Sequence, residues 1–491
     1  MKPPDANTQP ATPLLRRAPG ARTLFLAALG FAVIIGVVAE QIGLAHAAAL
    51  PLAAAVVTYA LCNYQVALWL SAFVLPFAPT YLLPSKMLGI SGFSPMNIIV
   101  ALPFLALLLH PVLHRKKLHM PPWPPMFFLF VFLFLAGGIH GAFYATSIPS
   151  YFLELNVTTA SSVPAYLLEV LLKPLEMLGI VYMLSIGVRN AVKPELFLVP
   201  VFLSAACIAG AILYVAASSP LPLAELSSQQ NRNYLSSIGM HANELGLLLN
   251  MATALVLACL AGCRSRMLKI ALGSLGAVLA CAVVLTFSRG AYLGLFSVII
   301  FSLVVQRRLN AAGVLILLVI AGAAFNPSPV SERVAQGMES SDPDAISSGR
   351  VKEIWLPLLP EIRSSPLIGH GLSSILWSQA ARERQILPVG HPHSAFLGAV
   401  LDVGVLGSML IGWFFVHMWR LFRGLGRHAN APLWRSFFSG AMACILLLLV
   451  QGVTDDSFLP TRTQPFLWLA YGYAVALYAR QKENPSRRGE T

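Results

Sequence analysis

Charge is scarce in this chain, and the scarcity excludes most classes of protein at once. Asp, Glu, Lys and Arg make up 11% of the 491 residues against 57% hydrophobic, and the mean hydropathy is +0.73. No soluble globular domain has that balance, so the chain reads as a polytopic membrane protein. Cysteine is sparse too. Cys62, Cys207, Cys259, Cys263, Cys281 and Cys444 lie inside or at the ends of apolar runs, with no CxxC and no His at ligand spacing. Neither a zinc site nor a disulfide framework is indicated, and the six read as small buried hydrophobes. The first outer connector, a few residues around Glu40 to Gly43, also lacks a carboxylate cluster. Asp455-Asp456 comes nearest to a metal-binding pair, but no third ligand is nearby, so no metal and no cofactor is expected.

What is there is a succession of apolar runs. Measured against the ~20 residues that span a bilayer, they give about fourteen candidates. Their limits are 23–40, 44–62, 64–84, 93–113, 125–146, 164–187, 195–217, 239–262, 267–287, 290–306, 309–326, 393–419, 433–453 and 463–480. Arg16, Arg17 and Arg22 precede the first, which is long for a signal peptide and is followed at once by a second, so an uncleaved first helix is expected. The stretch 267–306 is broken only by Ser288-Arg289-Gly290. As one helix it would run to about 60 Å, twice a bilayer core, so the chain must double back there.

The net charge of +13 would suggest nucleic acid in a soluble chain. Here the basic residues sort by side of the membrane. With a cytoplasmic N-terminus, most of the 33 Lys and Arg fall in cytoplasmic segments, which places both termini inside and the 327–392 segment outside. The expected architecture is therefore all-α: spans within 1–326, one large outer loop at 327–392 containing short helices, and spans within 393–491. A loop of that length without low complexity is more often functional than a linker. Within it, Val351 to Glu361, with Trp355, has the pattern of a short amphipathic helix lying on the bilayer surface.

Arg289, at the tip of an apolar hairpin on the outer side, reads either as a snorkelling anchor or as a planar fork for a phosphate or pyrophosphate. Arg232 stands in an outer connector just before the helix carrying His241-Ala-Asn243-Glu244, whose N-terminal amides also favour an anion. His393 opens the helix that follows the large loop, and imidazole there is suited to general-base work or to a structural hydrogen bond. His391 has the same chemistry but precedes Pro392, which makes it loop. Glu169, Lys173 and Glu176 share one face of the 164–187 span, with Pro174 as a kink. They form either a self-neutralised packing element or a polar floor to a site.

The order of Arg232, Asn243, Thr286-Phe-Ser288-Arg289-Gly290, Gly349-Arg350, Trp355, Pro366-Leu-Ile-Gly369-His-Gly371 and His393 with Leu397, Asp402, Gly404 and Gly407 resembles the O-antigen ligase and polymerase superfamily. These are bacterial inner-membrane glycosyltransferases using undecaprenyl-pyrophosphate-linked glycans. The resemblance implies that Arg232 and Arg289 hold the pyrophosphate and that His393 activates the acceptor hydroxyl of a glycan or of lipid A-core, on the periplasmic side and without metal. Arg350, His391, Asn243, Glu169 and Lys173 are candidates for supporting or acceptor-side contacts. The chain departs from the family pattern at Ser394, where Asn is usual, and at Asp402, where Glu is usual. A transporter or flippase of the same lipid-linked glycan is the competing expectation, since it would also combine many spans, intramembrane charge and outward arginines.

Overall fold

The structure, a computed structural model, describes residues 54–84, 94–226, 232–304, 344–347, 349–454, 457–461 and 463–483. The chain divides into two compact units, Met1–Ala60 and Leu61–Thr491. Of the first, residues 54–60 are described and are helical. The regular elements of the second are all helices, with no strand among its described residues.

Its principal helices are α1 (Tyr64–Val74), α2 (Pro95–His114), α3 (Pro125–Ala142), α4 (Lys173–Asn190), α5 (Leu198–Ala217) and α6 (Ala242–Gly262). They continue with α7 (Arg266–Val284), α8 (Arg289–Val304), α9 (Ala395–His428), α10 (Pro432–Gln451) and α11 (Pro465–Glu483). Among the described residues, seven helices are long and apolar enough to cross a membrane: α2, α3, α5 with the turn before it, α6, α7, α9 and α10. The expected number of about fourteen is not reached among them. The expected runs 23–40 and 309–326, and most of 44–62, lie outside the described residues. The doubling back at Ser288 is present: α7 ends at Val284, α8 starts at Arg289, and the two pack together.

Helix α6 is the axis of the bundle, with 83% of its apolar window buried against 22% for α2. It is therefore enclosed by protein, whereas α2 leaves most of its surface to the surroundings. Its neighbours are α10, α7, α8, α5 and α11. Lipid tails are as apolar as leucine, so these contacts rest on close packing rather than on escape from water. Gly246 shows how close: a Cβ there would lie 2.3 Å from the Ala291 Cβ. Of the six cysteines, Cys259, Cys263 and Cys444 are buried, but Cys62, Cys207 and Cys281 are exposed. The expectation of six buried thiols holds for only half of them.

Two single turns of π-helix, Leu167–Leu172 and Val351–Trp355, occur in this unit. Each ends one residue short of a proline, with Lys173 N donating to the Leu168 carbonyl ahead of Pro174, and Leu356 N to the Val351 carbonyl ahead of Pro357. A proline ring crowds the carbonyl four residues earlier and removes its donor, and a wider turn relieves that conflict. The expected kink at Pro174 takes this form.

The second π turn leads into the helix Leu356–Ser364. Its inner face, Ile354 and Leu358, is buried in an apolar cluster with Phe152, Tyr166, Ile375, Trp377 and Leu401. The expected helix exists, but that face is covered by protein instead of lying on lipid, because the 145–166 connector and the 374–386 segment close over it.

Candidate active site

The site grows out of a break in α9. Gly404 has φ 67° and ψ −175°, a conformation essentially reserved for glycine, and it divides α9 into two helical pieces. The backbone groups that the break leaves without helical partners are taken by the 366–372 segment. Val405 N donates to the Pro366 carbonyl (2.8 Å) and Leu406 N to that of Leu367 (3.2 Å). In return, His370 N donates to the Leu401 carbonyl and Gly371 N to that of Asp402, both at 2.9 Å. The approach leaves no room for a side chain: a Cβ on Gly404 would stand 2.3 Å from the Leu367 carbonyl group. Asp402 Oδ1 accepts from both Ser374 N (3.0 Å) and Ser374 Oγ (2.7 Å). Tyr166 adds its hydroxyl to the Leu372 carbonyl (2.7 Å). The large loop is thus anchored into the membrane helix itself.

From this anchor the chain reaches His391-Pro392-His393. Helix α9 begins at Ala395 with Ser394 as its cap, the Ser394 side chain accepting from Leu397 N. His393 therefore does not open the helix as expected. A serine hydroxyl can satisfy a free amide of the first turn, and that moves the start two residues on. His393 has φ 50°, in the left-handed region that β-carbons disfavour. Such strain persists only where the surroundings impose it, and here they do. Trp355 Nε1 donates to the Pro392 carbonyl (2.8 Å), and Ala395 N to the Gly452 carbonyl (2.7 Å). His393 N donates to His391 Nδ1 (3.3 Å), and the two rings stand 4.3 Å apart, edge to face. A neutral His391 accepting at Nδ1 carries its proton at Nε2.

The arginine hairpin meets this loop at the end of α10. Gln451 Nε2 donates to the Gly290 carbonyl (2.7 Å), and the Arg350 guanidinium to the Thr454 carbonyl. Asn250 Nδ2 holds the Ala291 carbonyl (2.8 Å), and Ser288 Oγ caps Ala291 N (3.2 Å). The Ser288 hydroxyl also donates to Asn243 Oδ1 (2.6 Å), which brings the start of α6 to the hairpin. There His241 and Glu244 form a reciprocal cap, Glu244 Oε2 accepting from His241 N. Arg350 thus bonds the Gln451–Thr454 turn directly, the Arg289 hairpin bonds it through Gly290 and the His393 loop through Ala395, while Asn243 joins through Ser288 of the hairpin.

Arg232 begins the 3-10 helix Arg232–Ile238. Its side chain lies outside the described residues, but Tyr234, two positions on, donates its hydroxyl to the Leu285 carbonyl and packs its ring 6.3 Å from that of Phe287. Burial pushes the Tyr234 hydroxyl above its usual range, keeping it a donor. The Arg232 segment is therefore tied to the Arg289 hairpin.

Beneath the loop lies a cavity of about 400 Å³ lined by Glu169, Glu244, His391, Asp402 and Thr461, among others. His393, Arg289 and Arg350 are not among its lining residues. Lys173 pairs with Glu169 as the i, i+4 spacing predicts. Lys173 and Glu176 line a neighbouring cavity of about 370 Å³, so the ion pair stands in the wall between the two. Among the described residues, no group of three His, Cys, Asp or Glu is placed to hold a metal ion; Asp455 and Asp456 lie outside those residues.

Gln451, Thr454 and Ser374 support the site with little signal in the sequence. Gln451 left one visible signal, a lone amide in the apolar run 433–453. The other two act through backbone atoms or a single hydroxyl, which no residue pattern announces.

Residues 274–412 match the model of the O-antigen ligase family. The chain carries an O-antigen ligase domain. That domain takes in the Arg289 hairpin, Arg350, the 366–372 anchor, both loop histidines and Asp402, while Arg232, Asn243 and Gln451 lie outside the matched residues. Comparison with curated proteins finds no match. The apolar helices make this a multi-pass membrane protein, and the match over residues 274–412 suggests a glycan-transferring enzyme.

Proposed function

We propose that the protein transfers a glycan from undecaprenyl pyrophosphate to a sugar hydroxyl at the periplasmic face of the bacterial inner membrane, with both termini in the cytoplasm. The observation that carries this reading is the gathering of the Arg289 hairpin, Arg350 and the His393 loop around the Gln451–Thr454 turn. In this reading His393 takes the proton from the acceptor hydroxyl as its oxygen attacks the anomeric carbon. The bond from that carbon to the pyrophosphate oxygen breaks, the leaving diphosphate gains the electron pair, and the configuration at carbon inverts. Arg289 and Arg232 offset the charge that develops on the leaving group. Pyrophosphate leaves readily once neutralised by two guanidinium groups, so the step requires no metal.

His393 is assigned the base because His391 has its Nδ1 committed to the His393 amide. The cavity beside them supplies Glu169, Glu244 and Asp402, groups suited to accept hydrogen bonds from sugar hydroxyls. The acceptor is lipid A-core in a ligase and a second lipid-linked repeat in a polymerase. A deletion strain separates these: lost capping with accumulated lipid-linked polymer means ligase, and accumulated single repeats mean polymerase.

The test of the chemistry is His393→Ala in purified protein. It is expected to bind the lipid-linked donor and to fail in transfer. Undiminished transfer would remove the general-base assignment.

A further inference from the structure

At the far end of the bundle from the candidate site lies a second polar cavity, of about 450 Å³. Helices α6 and α10 join the two places. Asn243 and Gln451 stand at their site ends, while Gly262 and Pro432 stand at their other ends and line this cavity. At 1.5 Å per residue the separation is roughly 30 Å, the thickness of a bilayer core.

Its lining is one-sided in charge. Arg264 comes from the α6–α7 turn, Arg427 from the end of α9 and Arg435 from the first turns of α10, with the hydroxyls of Ser436 and Ser439 beside them and no carboxylate among the lining residues. All three arginines are exposed, and among the described residues none has an ion-pair partner. The placement of Arg435 sharpens the point. It sits near the N-terminus of a 20-residue helix that has no acidic residue in its first turn and no side-chain cap. A cation there opposes the helix dipole as well as the other two guanidinium groups. Basic residues scattered along a membrane face need no ligand, but three converging on one cavity at the positive end of a helix repel one another until an anion joins them. Gly262 and Gly426 bring their helices close to Ser436 and Ser439, whose hydroxyls are the atoms a Cβ at either glycine would meet first.

We infer that this cavity binds a phosphate group at the membrane face opposite the candidate active site. Guanidinium forks and serine hydroxyls are the donor set that phosphate oxygens take. Cavities of this kind between helix ends receive the headgroups of anionic phospholipids, and a free phosphate or diphosphate offers the same oxygens. The inference is independent of the glycan-transfer reading, and its test does not use transfer activity.

The full-length protein is reconstituted in nanodiscs of phosphatidylcholine containing a minor fraction of phosphatidylglycerol or cardiolipin, and the lipid retained after detergent extraction is measured by native mass spectrometry. In parallel, the thermal midpoint in neutral detergent is followed as inorganic phosphate or pyrophosphate is added. Variants are R264Q, R427Q, R435Q and their triple combination, with R423Q, an exposed arginine of α9 outside the cavity, as the control for one lost positive charge. A lipid occupant gives preferential retention of the anionic lipid, weakened about fivefold per arginine replaced and unchanged in R423Q. A soluble occupant gives a midpoint rise with phosphate or pyrophosphate that the triple variant lacks. The inference fails if wild type shows neither effect, or if R423Q weakens binding as much as the three cavity variants do.

Discussion

Gln451 Nε2 donates to the Gly290 carbonyl at 2.7 Å, and through that bond the end of α10 holds the turn on which Arg289 begins α8. Three residues later, the Thr454 carbonyl receives the Arg350 guanidinium. One short turn thus sets the positions of two arginines brought from segments some 60 residues apart in sequence. Both bonds are partly buried, where a hydrogen bond is stronger than in bulk water, so each helix end is tied as well as packed.

Gln451→Leu keeps the volume and removes the donor. A hydrogen bond contributes about 0.5 to 1.5 kcal/mol net, so the hairpin loosens without the bundle unfolding. The expected result is a rise of up to about tenfold in KM for the lipid-linked donor with a smaller change in kcat. Steady-state transfer against donor concentration checks it. An unchanged KM would separate Gln451 from the placement of Arg289.

Gly404→Ala meets two obstacles. The backbone at φ 67° and ψ −175° is disfavoured for alanine, and the added Cβ would fall 2.3 Å from the Leu367 carbonyl group. Strained conformations of this sort cost about 1 to 3 kcal/mol before the clash is counted. The variant is expected to lose thermal stability in detergent and to release the 366–372 segment, seen as faster proteolysis of the large loop. Gly407→Ala is a less specific test: α9 is helical there, and the added Cβ would meet the Val403 side chain at 2.6 Å instead of the 366–372 segment.

Much of this was legible in composition, and the rest was not, for identifiable reasons. Apolar runs announce helices because every backbone polar group must be satisfied within its own segment, so α2, α3 and α5 to α11 lie close to their expected positions. The Glu169–Lys173 pair was legible because helical spacing alone creates it. The break at Gly404 was not, because glycine is frequent in membrane helices and a sequence does not say which carbonyls a distant loop will offer. The start of α9 was misplaced for a similar reason: an apolar run does not say which polar residue before it will cap the first turn, and here the Ser394 hydroxyl takes Leu397 N. That Arg289 and His393 share one end of the bundle followed from topology, whereas their common support on Gln451 to Thr454 required the fold.

Asp402 accepts twice from Ser374, so its replacements separate charge from geometry. Asp402→Asn retains a carbonyl oxygen for the Ser374 amide and is expected to keep the loop docked. Asp402→Leu leaves the Ser374 amide and hydroxyl without their acceptor, at a cost of about 1 to 3 kcal/mol. Thermal midpoints of the two proteins, compared with wild type, should fall in that order. Equal loss in both would mean that the negative charge, not the hydrogen bonds, holds the loop.

The two loop histidines provide the sharpest comparison, because they touch each other and the proposed chemistry gives them different tasks. His391 Nδ1 receives the His393 amide, and that contact helps hold His393 at φ 50°. Loss of one such hydrogen bond in His391→Ala should lower the transfer rate by up to about tenfold, through a less well-ordered His393. His393→Ala removes the base itself, and general-base catalysis contributes about 10² to 10⁴ in rate. Imidazole added in solution should restore part of the His393→Ala rate by supplying a mobile base, and should leave His391→Ala unaffected. Initial rates with and without imidazole decide between them: rescue of His391→Ala instead would move the base to the histidine that lines the 400 Å³ cavity.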